Sequence, residues 1–148
     1  MAGTGDSSEA VSYLRTLPEA ECFELLAVAI VGRVGFVTPD GVQIIPVNYR
    51  LGADHQIFMK TAPGSALAQL AEMDTPVAFE VDYHADDFQI AWSVLMHGTI
   101  SQLDAAATAA YRELRRPPVP WAGSVSSLPV RFLPRTISGR GLHRTRPD

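Results

Sequence analysis

A hairpin signature in the first third of the chain constrains the fold most strongly. Residues 32–50 read GRVGFVTPDGVQIIPVNYR, two runs with apolar and polar residues in alternation around Pro39-Asp40-Gly41. A period of two is typical of strands, and Gly41 can adopt the positive φ of a tight turn. Pro46 cannot donate a hydrogen bond to a neighbouring strand, so it predicts an edge strand or a bulge. This segment therefore predicts an antiparallel β-structure.

The same patterns recur along the chain and predict a small antiparallel barrel of the α+β class, mainly β. We expect Gly98 to bend the fifth strand. Asp104 is placed to cap the last helix, and Cys22 lies on the apolar face of the first. The six predicted strands cover residues 32–38, 42–50, 55–61, 76–84, 89–103 and 130–142. The three predicted helices, peripheral to the sheet, cover residues 18–31, 65–73 and 104–115.

Length and composition fit one domain. The chain has 148 residues, of which 47% are hydrophobic and 19% charged, as in an ordinary globular protein. We expect a flexible tail over residues 1–12, the folded domain over residues 13–143 and a second tail over residues 144–148. No apolar run is long enough to span a bilayer, and the first residues lack the layout of a signal peptide. Cys22, the single cysteine, cannot form an internal disulfide, so we expect a cytoplasmic protein that acts without a membrane.

Charge is distributed unevenly along the chain. Residues 1–110 hold 4 basic and 14 acidic side chains, whereas residues 111–148 hold 8 arginines and 2 acidic side chains. A basic segment can indicate binding to nucleic acid. Here the arginines are spread singly through a strand-like segment, without interleaved aromatic residues. We therefore expect them to pair with the acidic part of the protein and predict no nucleic-acid partner.

One corner of the predicted barrel carries more polar chemistry than a turn requires. In QIFMKTAPGSAL, residues 56–67, a strand ends at Lys60 and Thr61, and a helix starts at Ser65. A helix start, two hydroxyls and a cation together favour a phosphate site. Alternation along the strand can also send Lys60 to the face opposite Thr61, and Ser65 can simply cap its own helix. From these residues alone, a phosphate site and a capped turn both remain open.

The order of the motifs resembles the pyridoxamine 5'-phosphate oxidase-like family, the FMN-binding split barrels. The matching segments extend over residues 14–142 and are LPEAECFELLAVAIVGRVGFVTPDGVQIIPVNYR, IFMKTAPGSALAQL, VAFEVD, AWSVLMHGTISQL, PWAGS and VRFLPRTISGRGL. The resemblance implies a six-stranded antiparallel split barrel over residues 13–143, with FMN in a cleft between the two subunits of a homodimer. It also implies an oxidoreductase that acts on an unknown small molecule.

The resemblance further implies which residues contact the cofactor. One strand would run alongside the flavin ring and ribityl chain, the QIFMKTAPGSAL corner would hold the phosphate, and the start of the fifth predicted strand would flank the ring. The implied cofactor-binding residues are Ile45, Pro46, Val47, Asn48, Lys60, Thr61, Ser65, Ala66, Trp92 and Ser93. Trp92 can instead fill the core, as large aromatic residues in strands usually do.

The chain departs from the family pattern at Ala66, where relatives usually carry Lys or Arg directly after the serine. This favours an alternative: a split barrel that binds the deazaflavin coenzyme, or a non-catalytic protein with weak or no FMN binding. No catalytic acid or base is predicted, because the flavin supplies the redox chemistry. Asp82, His84 and two nearby aspartates match no familiar ligand spacing, so no metal site is predicted.

Overall fold

The computed structural model describes residues 12–85, 90–120 and 127–144. Within these ranges the chain is mainly β-structure, with three short helices. The strands are β1 (Ser12–Leu17), β2 (Val31–Thr38), β3 (Gly41–Asn48), β4 (Arg50–Leu51), β5 (Ile57–Thr61), β6 (Pro76–His84), β7 (Ile90–Gln102) and β8 (Leu128–Arg144). The helices are α1 (Glu19–Val28), α2 (Ala66–Leu70) and α3 (Ala105–Arg112).

The strands form one curled antiparallel sheet, which confirms the predicted fold class. The order along the sheet is β3-β2-β6-β7-β8-β5-β4, and β1 pairs with β8 off this path. β8 is 17 residues long and pairs with β7 on one side. On its other side it pairs with β5 at its start and with β1 at its end. Because the sheet curls, the outermost strand β3 comes back toward β5 and leaves a split between them.

The local features that the sequence predicted within the sheet are confirmed. Gly41 has a φ of 122° at the turn between β2 and β3. Pro46 lies on β3, which ends the strand order and is therefore an edge strand. The register between β7 and β8 shifts between His97 and Gly98. A side chain at Gly98 would collide with the carbonyl oxygen of Leu133, so only glycine fits this bulge.

The number of strands differs from the prediction, since the described residues form eight strands rather than six. β1 was missed because its only partner is the far end of β8, where Leu14 pairs with Leu142. The predicted second strand splits into β3 and the two-residue β4. His55, predicted to start a strand, has a φ of 60° and belongs to the turn before β5. Of the two predicted tails, only Ser12 in β1 and Arg144 in β8 are described. The rest of both tails lies outside the described residues.

All three helices are present but shorter than predicted. α1 ends at Val28 rather than at residue 31, because the chain must extend to start β2 at Val31. α2 stops at Leu70 and α3 at Arg112. Asp104 caps α3 as predicted, since its Oδ1 accepts a hydrogen bond from the Ala107 amide at 2.8 Å.

The core lies between the concave side of the sheet and α1. Cys22 is buried there as predicted, and burial raises the pKa of its thiol. Arg131 of β8 pairs with Asp104 at 3.4 Å and bonds Gln56 and Ser101. For this arginine, pairing with the acidic part of the protein is therefore observed. No helix in the described part of the chain has the length and apolar character needed to cross a bilayer.

The buried phenol of Tyr49 fixes the end of α1. Its hydroxyl donates a hydrogen bond of 2.8 Å to the carbonyl oxygen of Leu26. That carbonyl lies in the last turn of α1, where carbonyl groups lack a partner within the helix. Burial raises the pKa of Tyr49, so the phenol stays protonated and remains a donor across the physiological pH range.

We predict that Tyr49→Phe lowers the free energy of unfolding by about 1–3 kcal/mol, because it leaves a buried carbonyl without a partner. Tyr13→Phe is the matched control, since Tyr13 is exposed on β1. Urea unfolding followed by circular dichroism measures both. Equal stabilities of the two variants would contradict the assigned role of Tyr49.

Candidate functional site

A cleft opens where the curled sheet fails to close, between β3 and the end of β5. Its volume is about 190 Å³. We call it the split cleft. The residues that line it are Ile45, Pro46, Val47, Asn48, Lys60, Thr61, Ala62, Ser65, Ala66, Leu67 and Pro120. Eight of the ten residues predicted to contact the cofactor are in this set.

The corner after β5 is organised by two hydroxyls. Thr61 Oγ1 and Ser65 Oγ lie 2.6 Å apart and share a hydrogen bond. Ser65 Oγ also accepts from the Ala68 amide at 3.2 Å, so Ser65 is the N-cap of α2. Two hydroxyls carry two protons, and their mutual bond uses only one of them. Whichever hydroxyl donates within the pair, the other keeps a proton that it can donate to an anion.

Lys60 and Gly64 complete the corner. Lys60 is half-buried and lines the split cleft together with Thr61. Alternation along β5 therefore does not exclude Lys60 from the lining of the cleft. Gly64 has a φ of 77°, and a Cβ atom there would meet no neighbour within 4 Å in the described structure. The corner thus offers a cation, a hydroxyl proton and open space, which suit a phosphate group.

Asn48 holds one wall of the split cleft in place. Its Nδ2 donates to the carbonyl oxygen of Val119 at 2.9 Å. Arg50, two residues further on, donates through Nε to the carbonyl oxygen of Arg116 at 3.2 Å. We call residues 113–120 the strap, because this segment crosses the edge of the sheet at these two points. Asn48 is half-buried, and this bond gives its amide nitrogen a partner.

The remaining two predicted residues, Trp92 and Ser93, lie elsewhere in the subunit. They line a second cleft of about 270 Å³ together with Arg140 of β8. We call it the side cleft. Trp92 packs against the core and stacks on Tyr83, with ring centroids 6.4 Å apart. Its core-filling role is therefore observed in addition to its place beside a cleft.

The two clefts share the convex face of the sheet, which we call the outer face. One row across it, set by the strand register, consists of Ile44, Gly35, Ala78, His97 and Thr136, and the next consists of Pro46, Arg33, Glu80, Leu95 and Ser138. Ser93 lies two residues before Leu95 on β7 and so belongs to the same face. β3 and β7 are three strand spacings apart in the sheet order, or about 14 Å.

Charges on the outer face are concentrated at one place. Arg33 contacts Glu80 at 3.0 Å and Asp82 at 3.1 Å. Burial and the neighbouring Asp82 raise the pKa of Glu80, and Arg33 opposes this shift. The described residues include no group of three or more side chains placed to hold a metal ion. Asp86 and Asp87 are the two aspartates that the sequence analysis considered as metal ligands together with Asp82 and His84. Both lie outside the described ranges.

The sequence did not reveal every residue of the two clefts. Pro120 of the strap and Leu67 of α2 line the split cleft, and Arg140 and Leu142 line the side cleft. The prolines of the strap are typical of irregular structure, but they do not indicate where the strap lies in the fold. That position depends on hydrogen bonds to β3 and β4, which lie more than 60 residues earlier in the chain.

Comparison with known proteins agrees with this architecture. The family model of pyridoxamine 5'-phosphate oxidase matches residues 18–141. A Corynebacterium glutamicum structure, provisionally named pyridoxamine 5'-phosphate oxidase, is 30% identical with a TM-score of 0.70 and covers 87% of this chain and 98% of its own.

Two further solved structures are described as FAD-binding proteins. The one from Mycobacterium smegmatis is 28% identical with a TM-score of 0.72 and covers 86% of this chain and 98% of its own. The one from Mesorhizobium loti is 20% identical with a TM-score of 0.68 and covers 89% of this chain and 98% of its own. At that lower identity the likeness is one of fold alone.

No curated protein matches the sequence significantly. The family assignment therefore rests on the family model, which matches most of the chain, and on the Corynebacterium glutamicum structure. Both agree with the resemblance seen in the order of the sequence motifs. The chain belongs to the pyridoxamine 5'-phosphate oxidase family.

Proposed function

We propose that this protein binds a flavin nucleotide, FMN, in the split cleft and acts as a flavin-dependent oxidoreductase on a small molecule. One observation carries the proposal: a cation and a hydroxyl pair lie at one end of a cleft whose other wall is the apolar edge of β3. That arrangement suits a ligand with a phosphate at one end and a flat apolar ring at the other. The Mycobacterium smegmatis neighbour, described as FAD-binding, supports a flavin.

In this proposal Lys60 neutralises the phosphate, and the unshared proton of the Thr61–Ser65 pair donates to it. Ile45, Pro46 and Val47 form the wall against the flavin ring and exclude water from one of its faces. A bound flavin supplies hydride transfer through its ring. The protein supplies position and a dry surface, and we assign no catalytic acid or base.

We further propose that the complete site requires a homodimer. The split cleft and the side cleft have volumes of about 190 and 270 Å³, and each is below the range of about 300–1,000 Å³ that is usual for organic ligands. Within one subunit the strands that carry Pro46 and Ser93 are about 14 Å apart. A second copy packed on the outer face by two-fold symmetry brings its side cleft, with Ser93, against the first copy's split cleft.

The side chains of the outer face support the same proposal. Ile44 is 67% exposed and Val42 is 72% exposed on the edge strand β3, and Leu95 is 38% exposed on β7. Small residues lie between them, namely Gly35 and Ala78. Apolar side chains beside small ones allow close packing of a second sheet.

Ala66 favours a second candidate function. It lines the split cleft directly after Ser65, where a positively charged side chain would reach the phosphate. A hydrogen bond to a charged group contributes about 1.5–3 kcal/mol, or ten- to a hundredfold in affinity. Without it, weak FMN binding, use of a deazaflavin coenzyme or a purely ligand-binding role are the alternatives.

We predict that the protein purified without added cofactor shows the visible absorption band of oxidised flavin. Mass spectrometry of the released cofactor then separates FMN from FAD and from the deazaflavin. A released deazaflavin would move the assignment to the second candidate. If the protein is colourless and FMN, FAD and deazaflavin all fail to bind in titrations, the proposed function is wrong.

We predict that Ala66→Lys tightens FMN binding about five- to thirtyfold, because the new ammonium group lies beside the Ser65 hydroxyl. The gain should shrink as salt screens the charge. Ala66→Met adds length without charge and is the matched control. Titrations that follow flavin fluorescence measure both variants. Riboflavin has no phosphate and should bind all three proteins equally, so an equal gain for riboflavin would argue against a phosphate at this corner.

We predict that the protein sediments as a dimer at micromolar concentration and that Ile44→Glu shifts it to the monomer and weakens flavin binding at least tenfold. A carboxylate buried in the apolar interface would lose its hydration without gaining a partner. Tyr13→Glu is the matched control, because Tyr13 is similarly exposed but lies on the face of β1 opposite Leu14. Full flavin affinity in a monomeric Ile44→Glu variant would show that one subunit suffices.

A further inference from the structure

A third groove in the described part of the protein is separate from both clefts discussed above. It has a volume of about 780 Å³ and lies between the strap, the last turn of α3 and the turn after β4. Three arginines line it, namely Arg50, Arg115 and Arg116. We call it the arginine groove, and we propose that it binds an anionic small molecule that carries phosphate or carboxylate groups.

The charge balance of the groove supports this assignment. Three arginines but only one acidic residue, Glu113, line the groove. The ion pairs formed among the described residues involve Arg15, Arg33 and Arg131, and none involves the three arginines of the groove. Guanidinium groups stay protonated at every accessible pH. The groove therefore concentrates positive charge in a protein whose net charge is −4, and an anion would relieve the mutual repulsion.

Arg50 is held in place rather than left mobile on the surface. It is half-buried, its Nε donates to the Arg116 carbonyl oxygen at 3.2 Å, and its Nη1 donates to the Tyr49 carbonyl oxygen at 3.3 Å. Both acceptors are neutral, so the contacts fix the guanidinium without cancelling its charge. A guanidinium has five N–H donors, and these two contacts leave three for a ligand. The fixed fork suits the paired oxygens of a phosphate or a carboxylate.

The size of the groove fits a metabolite rather than a macromolecule. Its volume falls within the range of about 300–1,000 Å³ that is usual for small-ligand sites. Three small residues leave space along its walls, and they are Ala27, Ala53 and Ala110. The groove shares no lining residue with the split cleft. The proposal is thus independent of the flavin assignment, although the strap forms one wall of each site.

Pyrophosphate and citrate, titrated into the full-length protein by calorimetry, are the probes that test this proposal. We expect at least one of them to bind, and we expect Arg115→Ala and Arg116→Ala each to weaken that binding about tenfold. Both side chains are exposed, and the Arg116 substitution keeps the carbonyl oxygen that Arg50 contacts. A preference for pyrophosphate would indicate a phosphorylated ligand, and a preference for citrate would indicate a carboxylate.

Two control variants separate this site from other cationic surfaces. Arg112→Ala removes an exposed arginine of α3 that does not line the groove, and it should leave binding unchanged. Arg135→Ala removes an exposed arginine of β8 that lines neither the groove nor the two clefts, and it should likewise have no effect. The proposal is overturned if neither probe binds, or if Arg115→Ala and Arg116→Ala both bind the probe as tightly as the unchanged protein.

Discussion

The pairing of β8 with three other strands is the constraint on which the rest of the structure depends. One strand of 17 residues aligns β7 along one side and both β5 and β1 along the other. This fixes where β5 ends, and therefore where Lys60 and Thr61 stand relative to the edge strand β3. The Gly98 bulge lets β7 follow the curl of β8. The split cleft is thus a consequence of a sheet that curls around β8 but does not close.

An incompletely closed sheet leaves polar edges and an apolar outer face, and the two have different consequences. At the edge, side chains of Asn48 and Arg50 bind carbonyl groups of the strap and so cover part of β3 and β4. On the outer face, no element of the described chain covers Val42 and Ile44. Long flat edges with apolar faces favour association. The proposed two-fold contact would cover this surface on both copies at once, so that association stops at the dimer.

Local chemistry in the sequence predicted the parts of the fold that depend on near neighbours. The turn at Gly41, the Asp104 cap and the bulge at Gly98 each follow from residues within a few positions. β1 could not be predicted in this way, because its alignment with β8 joins residues about 130 positions apart. The helices were predicted too long for a related reason. Helical patterns end where the sheet requires extended chain, and the sheet is set by distant pairing.

The same division applies to the candidate site. Residues of β3 and of the β5 corner came from contiguous motifs, and the structure brings them into one cleft. The resemblance to a family also named Trp92 and Ser93, which lie in the side cleft of the same subunit. Within the described part of one subunit these two groups line different clefts, and only the proposed dimer brings them together. The strap residue Pro120 belongs to the PWAGS motif, but the motif did not place it in the cleft, because its position is set by tertiary hydrogen bonds.

The way in which the strap is attached bears on how this protein can diverge from its relatives. Asn48 and Arg50 bind the carbonyl oxygens of Val119 and Arg116, not their side chains. Every residue type offers that carbonyl, so side chains along the strap can change while the wall keeps its position. The prolines at 117, 118 and 120 restrict the chain before folding and lower the entropy cost of ordering it. The side chains of this segment without regular structure can therefore change over evolution and leave the split cleft intact.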